Sequence, residues 1–264
     1  MRLGSSRQRD GASALTLALA VLGVAFFVLP MVALGFGASW SRLWDLGASP
    51  RVRSAFAISA IASLGATGLA ALLGLPIAWV LARTRLPGRP VVRALVTAPM
   101  VMPPVVAGAG LLAAFGPLGL VGAPLRAFGV VLPLTPLAAI LAATFVATPF
   151  LIATVETALV RSDSGLEDAA ATLGASRIRI ALTVLLPQIA PALAAGLALC
   201  WARALGEFGA TITFAGNLPG RTQTVPLALY QTLQTDPQAG YLVALALLML
   251  SLGGLTLARW RVGE

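Results

Sequence analysis

Histidine and lysine are both absent from this sequence, and cysteine occurs once, at Cys200. A lone cysteine and no histidine exclude an intrachain disulfide and any metal site built from those ligands. Without lysine there is no phosphate-binding loop, because that loop needs its lysine on the nucleotide phosphates. If ATP drives this protein, another chain must bind it. Charged residues are also scarce: they make up 10% of the 264 residues, against ~25% in soluble domains. That scarcity excludes an ordinary soluble globular fold.

Hydrophobic residues make up 58% of the chain, and they fall into membrane-length runs. A helix crossing a ~30 Å hydrocarbon core needs ~20 residues. Six such stretches are expected, at about 14–37, 55–82, 94–115, 137–160, 189–208 and 241–258. The fold class is therefore an all-α polytopic membrane protein, with residues 1–264 as a single domain. The first run follows Arg2, Arg7 and Arg9 as a signal peptide would, but it exceeds the ~7–15 apolar residues of one, so a retained span is expected. Gly65, Gly68 and Gly74 in the second run allow close helix approach and predict a packed face.

The net charge of +9 is carried by arginines in short patches at span ends, the pattern of membrane topology rather than of a nucleic-acid footprint. With the amino terminus inside, twelve arginines fall on the cytoplasmic side and five outside. That asymmetry predicts both termini in the cytoplasm. Trp40 and Trp44 suit the interfacial belt after the first span. Cys200, inside an apolar run, reads as a small packing residue.

Several places stand out along the path through the membrane. Pro99, Pro103 and Pro104 must break the third span's hydrogen-bond ladder, and irregular backbone at that depth belongs in a packed kink or along a cavity. Arg203 and Glu207 sit one helical turn apart late in the fifth span. They read either as a paired charge near the outer interface or as an anion attractor or latch. Glu156, near the inner end of the fourth span, is expected to snorkel. The outer stretch 209–240 is polar; Asn217, Arg221, Thr222 and Thr224 are gate or pathway candidates, and Val225 to Leu233 has helical spacing.

The longest amphipathic run is 166–187, within a cytoplasmic segment 163–187. Ser164 and Glu167 have the spacing of a capping box. Leu166, Ala169, Ala170 and Leu173 share one helical face, Gly174 is a stop signal, and Ser176 caps a second helical run. The expectation is a short helix, a glycine turn and a ramp back into the membrane.

This run resembles the coupling motif of ATP-binding-cassette importer permeases. Asp168, Ala169, Ala170, Gly174, Val184, Leu186 and Pro187 occupy its places, with Asp168 where glutamate is usual and Glu167 just before it. The resemblance extends over roughly residues 50–258. It is greatest to molybdate permeases, through PPVVAGAGLL (103–112) and FAGNLPGRTQTVPLALY (214–230). ALGEFGAT (204–211) is shared with sulfate permeases.

The resemblance implies a type I importer permease of six spans in a bacterial inner membrane, carrying molybdate or tungstate and having no catalytic residues or metal of its own. It also implies two cytoplasmic ATPases that use ATP and magnesium, an external molybdate-binding protein, and a second permease copy. Leu166, Glu167, Asp168, Ala169, Ala170, Leu173, Gly174 and Pro187 would meet the ATPase. A sulfate or thiosulfate permease is the near alternative. An ion-driven secondary transporter is the alternative of another class, and it would need ionisable groups at mid-membrane.

Overall fold

The computed structural model describes residues 13–260. Arg2, Arg7, Arg9 and Arg261, which enter the topology count, lie outside the described residues. Among the described residues, five helices are long and apolar enough to span a membrane, and the count is six if one bent pair is taken as one span.

Helix α1 (Ala14–Gly37) starts where the Ser13 hydroxyl accepts the Thr16 N–H. None of its residues is buried, and it leans on the last helix, where Gly37 meets the Tyr241 ring. After a 3-10 turn and the short α2 (Leu43–Ala48) comes α3 (Pro50–Arg83). With 34 residues it is roughly 51 Å long, well beyond the 55–82 expected. Proline at the first helical position explains the earlier start, since its missing N–H costs nothing there.

The core is a seam of small residues between α3 and α7 (Pro136–Arg161). Ala66, Ala70 and Ala78 on α3 bury against Ala143, Ala147 and Leu151 on α7. Lipid supplies no hydrophobic drive for such a seam, so close van der Waals contact must hold it. Gly65 and Gly74 lie in the seam, where an added Cβ would come 3.1 Å from Ile140 and Thr148 respectively. Gly68 does not: it is exposed, with open space beside it.

The expected third span is two helices, α4 (Arg89–Val101) and α5 (Pro104–Phe115), bent by 119°. Met102 and Pro103 are extended, and two consecutive prolines remove the N–H groups that a continuous helix would use. A short α6 (Gly122–Ala127) leads to α7.

Past α8 (Ser164–Thr172), the fifth span begins at Arg177, far earlier than the expected residue 189, and ends at Leu205. It comprises α9 (Arg177–Ile180), a π-helical turn (Ala181–Leu185) and α10 (Leu186–Leu205). The wider turn sits just before Pro187, whose ring would otherwise crowd the carbonyl four residues back. Most of the expected outer loop is helix: α11 (Gly209–Phe214), α12 (Val225–Thr235) and then α13 (Pro237–Trp260).

Candidate coupling segment and transport pathway

Helix α8 projects from the bundle by a route that differs in one detail from the sequence expectation. Asp163, not Ser164, is the N-cap, its carboxylate accepting the Gly165 N–H at 2.8 Å. Glu167 is therefore free of capping. It forms an ion pair instead, Oε1 lying 2.7 Å from Nη2 of Arg83 at the end of α3. The same Arg83 nitrogen donates to the Ser162 hydroxyl, and Gln188 on α10 accepts the Asp163 N–H at 3.0 Å. Two elements, α3 and α10, thus hold the root of α8. Arg83 and Gln188 were not legible as partners, because each is distant in sequence.

The helix ends as its glycine requires. Gly174 has φ +83°, and the Ala175 N–H returns to the Ala170 carbonyl at 3.1 Å while Gly174 N–H bonds Ala171. This is a Schellman turn, satisfying carbonyls that the helix leaves open. Ser176 then accepts the Arg179 N–H and starts α9. Beyond these anchors the segment is unpartnered: Leu166, Leu173 and Ile178 are exposed, Leu173 by 88%. Asp168 and Ala169 are exposed as well, and Ala170 is half-buried. Trp79, Asp168, Ala171, Ile178 and Leu185 line an open cleft beside them.

Glu156 does not snorkel. It is 8% exposed and meets Arg93 in a close hydrogen-bonded ion pair, with Arg89 at 3.7 Å. The 119° bend swings the start of α4 back across α7, which brings two cations to one buried acid. Pairing with two arginines offsets the desolvation penalty that snorkelling would otherwise relieve.

The prolines of the bend pack on the start of α11. A Cβ on Gly209 would lie 2.6 Å from Pro104 Cβ, and one on Gly108 would lie 2.9 Å from the Ala210 carbonyl oxygen. Glu207 stands just beyond the end of α10 rather than within the span. Its Oε1 accepts the Ala210 N–H at 2.8 Å, starting α11, and its Oε2 lies 2.7 Å from Arg203 Nη1. That second contact is Coulombic, for Oε2 has no aligned donor. Pro104, Gly209 and Glu207 therefore meet at one junction, to which Arg203 is tied.

Asn217, Thr222 and Thr224 lie elsewhere, against α3 and α12. Thr222 is fully buried and its oxygen accepts the Leu218 N–H at 3.0 Å. Thr224 is buried with no partner for its hydroxyl, and the next N–H, Val225, donates to Ser59 at 2.8 Å. Asn217 accepts from Gln223, a residue only 1% exposed that sequence reasoning passed over. Arg221 stays exposed on the turn.

Residues 70–260 match the family model described as binding-protein-dependent transport system inner membrane component. The chain is also 42% identical over 238 residues to the molybdenum transport system permease protein ModB of Mycobacterium tuberculosis, covering 89% of each. It belongs to this family of transport permeases. It is 37% identical over 215 residues to the sulfate transport system permease protein CysT of Salmonella typhimurium, covering 81% of this chain and 78% of that one. Among solved structures, a bacterial ABC transporter that imports alginate matches with a TM-score of 0.72 at 19% identity, covering 94% and 93% of the two chains. At that identity the likeness is one of fold, and it is the fold of an ABC importer permease.

The permease is accordingly a multi-pass protein of the bacterial inner membrane and not itself an enzyme. The family match begins inside α3 and contains α4 to α13, so both the α8 projection and the α5–α11 junction lie within the shared part of the permease.

Proposed function

We propose that this permease carries molybdate, or the equally shaped tungstate, as the membrane subunit of an ATP-driven importer. The α8 projection carries the coupling half of the reading. A nine-residue helix carrying the exposed Leu166, with the exposed Leu173 as its C-cap, anchored only at its root, suits a groove on a second protein; an amphipathic helix docks by such an apolar face. Two cytoplasmic ATPases using ATP and magnesium supply that groove, and one projection per chain calls for two permease copies. An external molybdate-binding protein delivers the substrate. The high identity to a molybdenum permease supports the choice of cargo.

Closure of the ATPases draws in Leu166 and Leu173, and Arg83 passes the displacement of Glu167 into α3. The α5–α11 junction is the proposed gate, with Pro103 and Pro104 fixing the bend and the Arg203–Glu207 pair setting the turn beside it. ATP shifts the inward–outward equilibrium by binding one state of the ATPase pair more tightly. Among the described residues, Glu156 and Glu207 are both paired with arginine, which disfavours a proton-driven carrier.

Labelled molybdate uptake in cells with and without this gene tests the reading. Loss of uptake on deletion, competed by tungstate and not by sulfate, supports it. Competition by sulfate moves the assignment to the sulfate-type permease, the second reading that the 37% identity favours.

A further inference from the structure

The end of α3 opposite the coupling segment carries a polar cluster that the transport reading above leaves unused. Arg51 and Arg83 are 32 positions apart on one helix, roughly 48 Å along its axis. Arg51 Nε donates to Gln223 Oε1 at 3.3 Å and its Nη2 donates to Gln231 Oε1 at 2.5 Å. Gln223 Nε2 donates in turn to Gln231 Oε1 at 2.8 Å and to Asn217 Oδ1 at 2.9 Å.

The chemistry of arginine fixes the direction of every bond in this cluster. A guanidinium has only donors, so both glutamines must turn their oxygens toward it. That orientation commits the Gln223 amide to donate to Gln231 and Asn217. The three carboxamide oxygens are then all used inside the cluster. Among the described residues, Arg51 Nη1, Asn217 Nδ2 and Gln231 Nε2 have no partner, and every one is an N–H donor. Among the described residues, Arg51 has no carboxylate within ion-pair distance, whereas Arg42 nearby is neutralised by Asp236. A cluster with net positive charge, spare donors on three side chains and every carboxamide oxygen already accepting a bond fits an anion with several acceptor oxygens.

We propose that Arg51, Asn217 and Gln231 form a receiving site for a tetrahedral oxyanion at the mouth of the permease, held in register by the buried Gln223. This rests on the oxyanion-import reading and adds to it the place where cargo first meets the membrane subunit. The buried Gln223 fixes the donors before the anion arrives, so binding costs little reorganisation.

Gln231→Glu separates this role from a merely structural one. A glutamate keeps the oxygen that accepts from Arg51 and Gln223, so the network and the α3–α12 contact persist. It replaces the free amide by a carboxylate oxygen, turning a donor into a repelling acceptor. Asn217→Asp makes the same exchange at the second donor. Arg53→Gln, exposed two residues from Arg51, alters net charge equally without touching the cluster.

The test measures melting of the assembled permease–ATPase complex in lipid nanodiscs, with and without sodium tungstate, together with oxyanion uptake. Tungstate is expected to raise the melting temperature of the wild type and Arg53→Gln. That rise should vanish in Gln231→Glu and Asn217→Asp, with uptake about tenfold lower. Unchanged tungstate response and uptake in Gln231→Glu would overturn the site while leaving the importer reading intact. Absence of any oxyanion uptake by the wild type would remove both. Stabilisation by anionic lipid instead of tungstate, lost in Gln231→Glu, would reassign the cluster to a headgroup phosphate and overturn the proposal. If Gln231→Glu melts low before any ligand is added, Asn217→Asp decides the outcome.

Discussion

Arg83, the last residue of α3, holds Glu167 of α8 at 2.7 Å while donating to Ser162 from the same nitrogen. Both side chains are about four-fifths buried, at 21% and 19% exposed, so this pair is less screened than a surface salt bridge. It is a direct mechanical link between the projecting helix and the longest helix of the bundle.

Reversing one charge of that pair should uncouple the machine. Arg83→Glu and Glu167→Arg each place like charges in contact, at a cost of about 1–3 kcal/mol after allowing for partial exposure. In the reconstituted complex, uptake per ATP hydrolysed should fall in either single variant. It should recover in the double exchange, and failure to recover would remove the pair from the coupling route.

The Gly174 turn makes a conformational prediction with little steric content. Nothing lies within 4 Å of an added Cβ there, but φ is +83°, a region that costs an L-residue roughly 1–2 kcal/mol. Gly174→Ala should weaken co-purification of the ATPase, and Gly174→Asn should weaken it less, since asparagine tolerates this conformation best among the alternatives.

Two glycines on α5 should respond in opposite ways. A Cβ at Gly108 would meet Thr213 at 2.6 Å and the Ala210 backbone at 2.9 Å, while Gly110 has open space. Gly108→Ala should push α5 off α11, costing about 1–3 kcal/mol by overpacking, and lower uptake. Gly110→Ala should be neutral or stabilising by up to ~1 kcal/mol, because alanine is the better helix former. Thermal melting of the purified permease distinguishes them.

The Arg203–Glu207 pair has a test that separates structure from transport. Glu207 is 2% exposed, so Glu207→Gln keeps the bond to Ala210 but leaves Arg203 uncompensated, lowering stability by about 1–3 kcal/mol. Arg203→Met with Glu207→Gln should regain most of that loss. If the double variant folds and still transports, the pair is structural; a folded but inactive double variant identifies Arg203 as part of the path.

The sequence alone determined what short range controls. Hydropathy located five long apolar helices, though not the bend that splits the expected third span or the early start of the fifth, because a membrane-crossing helix must satisfy its own backbone and needs only length and apolarity. The α8–Gly174–α9 order was legible for the same reason, since Ser176 and Gly174 act on backbone within a few residues. Local spacing misled where a distant residue competed: Ser164 and Glu167 fit a capping box, yet Asp163 caps the helix and Arg83, remote in the chain, takes the glutamate.

Tertiary structure decided the rest. Only the 119° bend brings Arg93 and Arg89 to Glu156, so the expected snorkelling could not have been corrected from α7 alone. Only packing against α3 and α13 turned the polar stretch after α11 into buried structure, with Gln223 sealed and Val225 fixed to Ser59. Polarity reads as a surface loop when each residue is taken by itself. A buried polar group is stable only with partners, and here those partners come from other helices, which sequence spacing does not reveal.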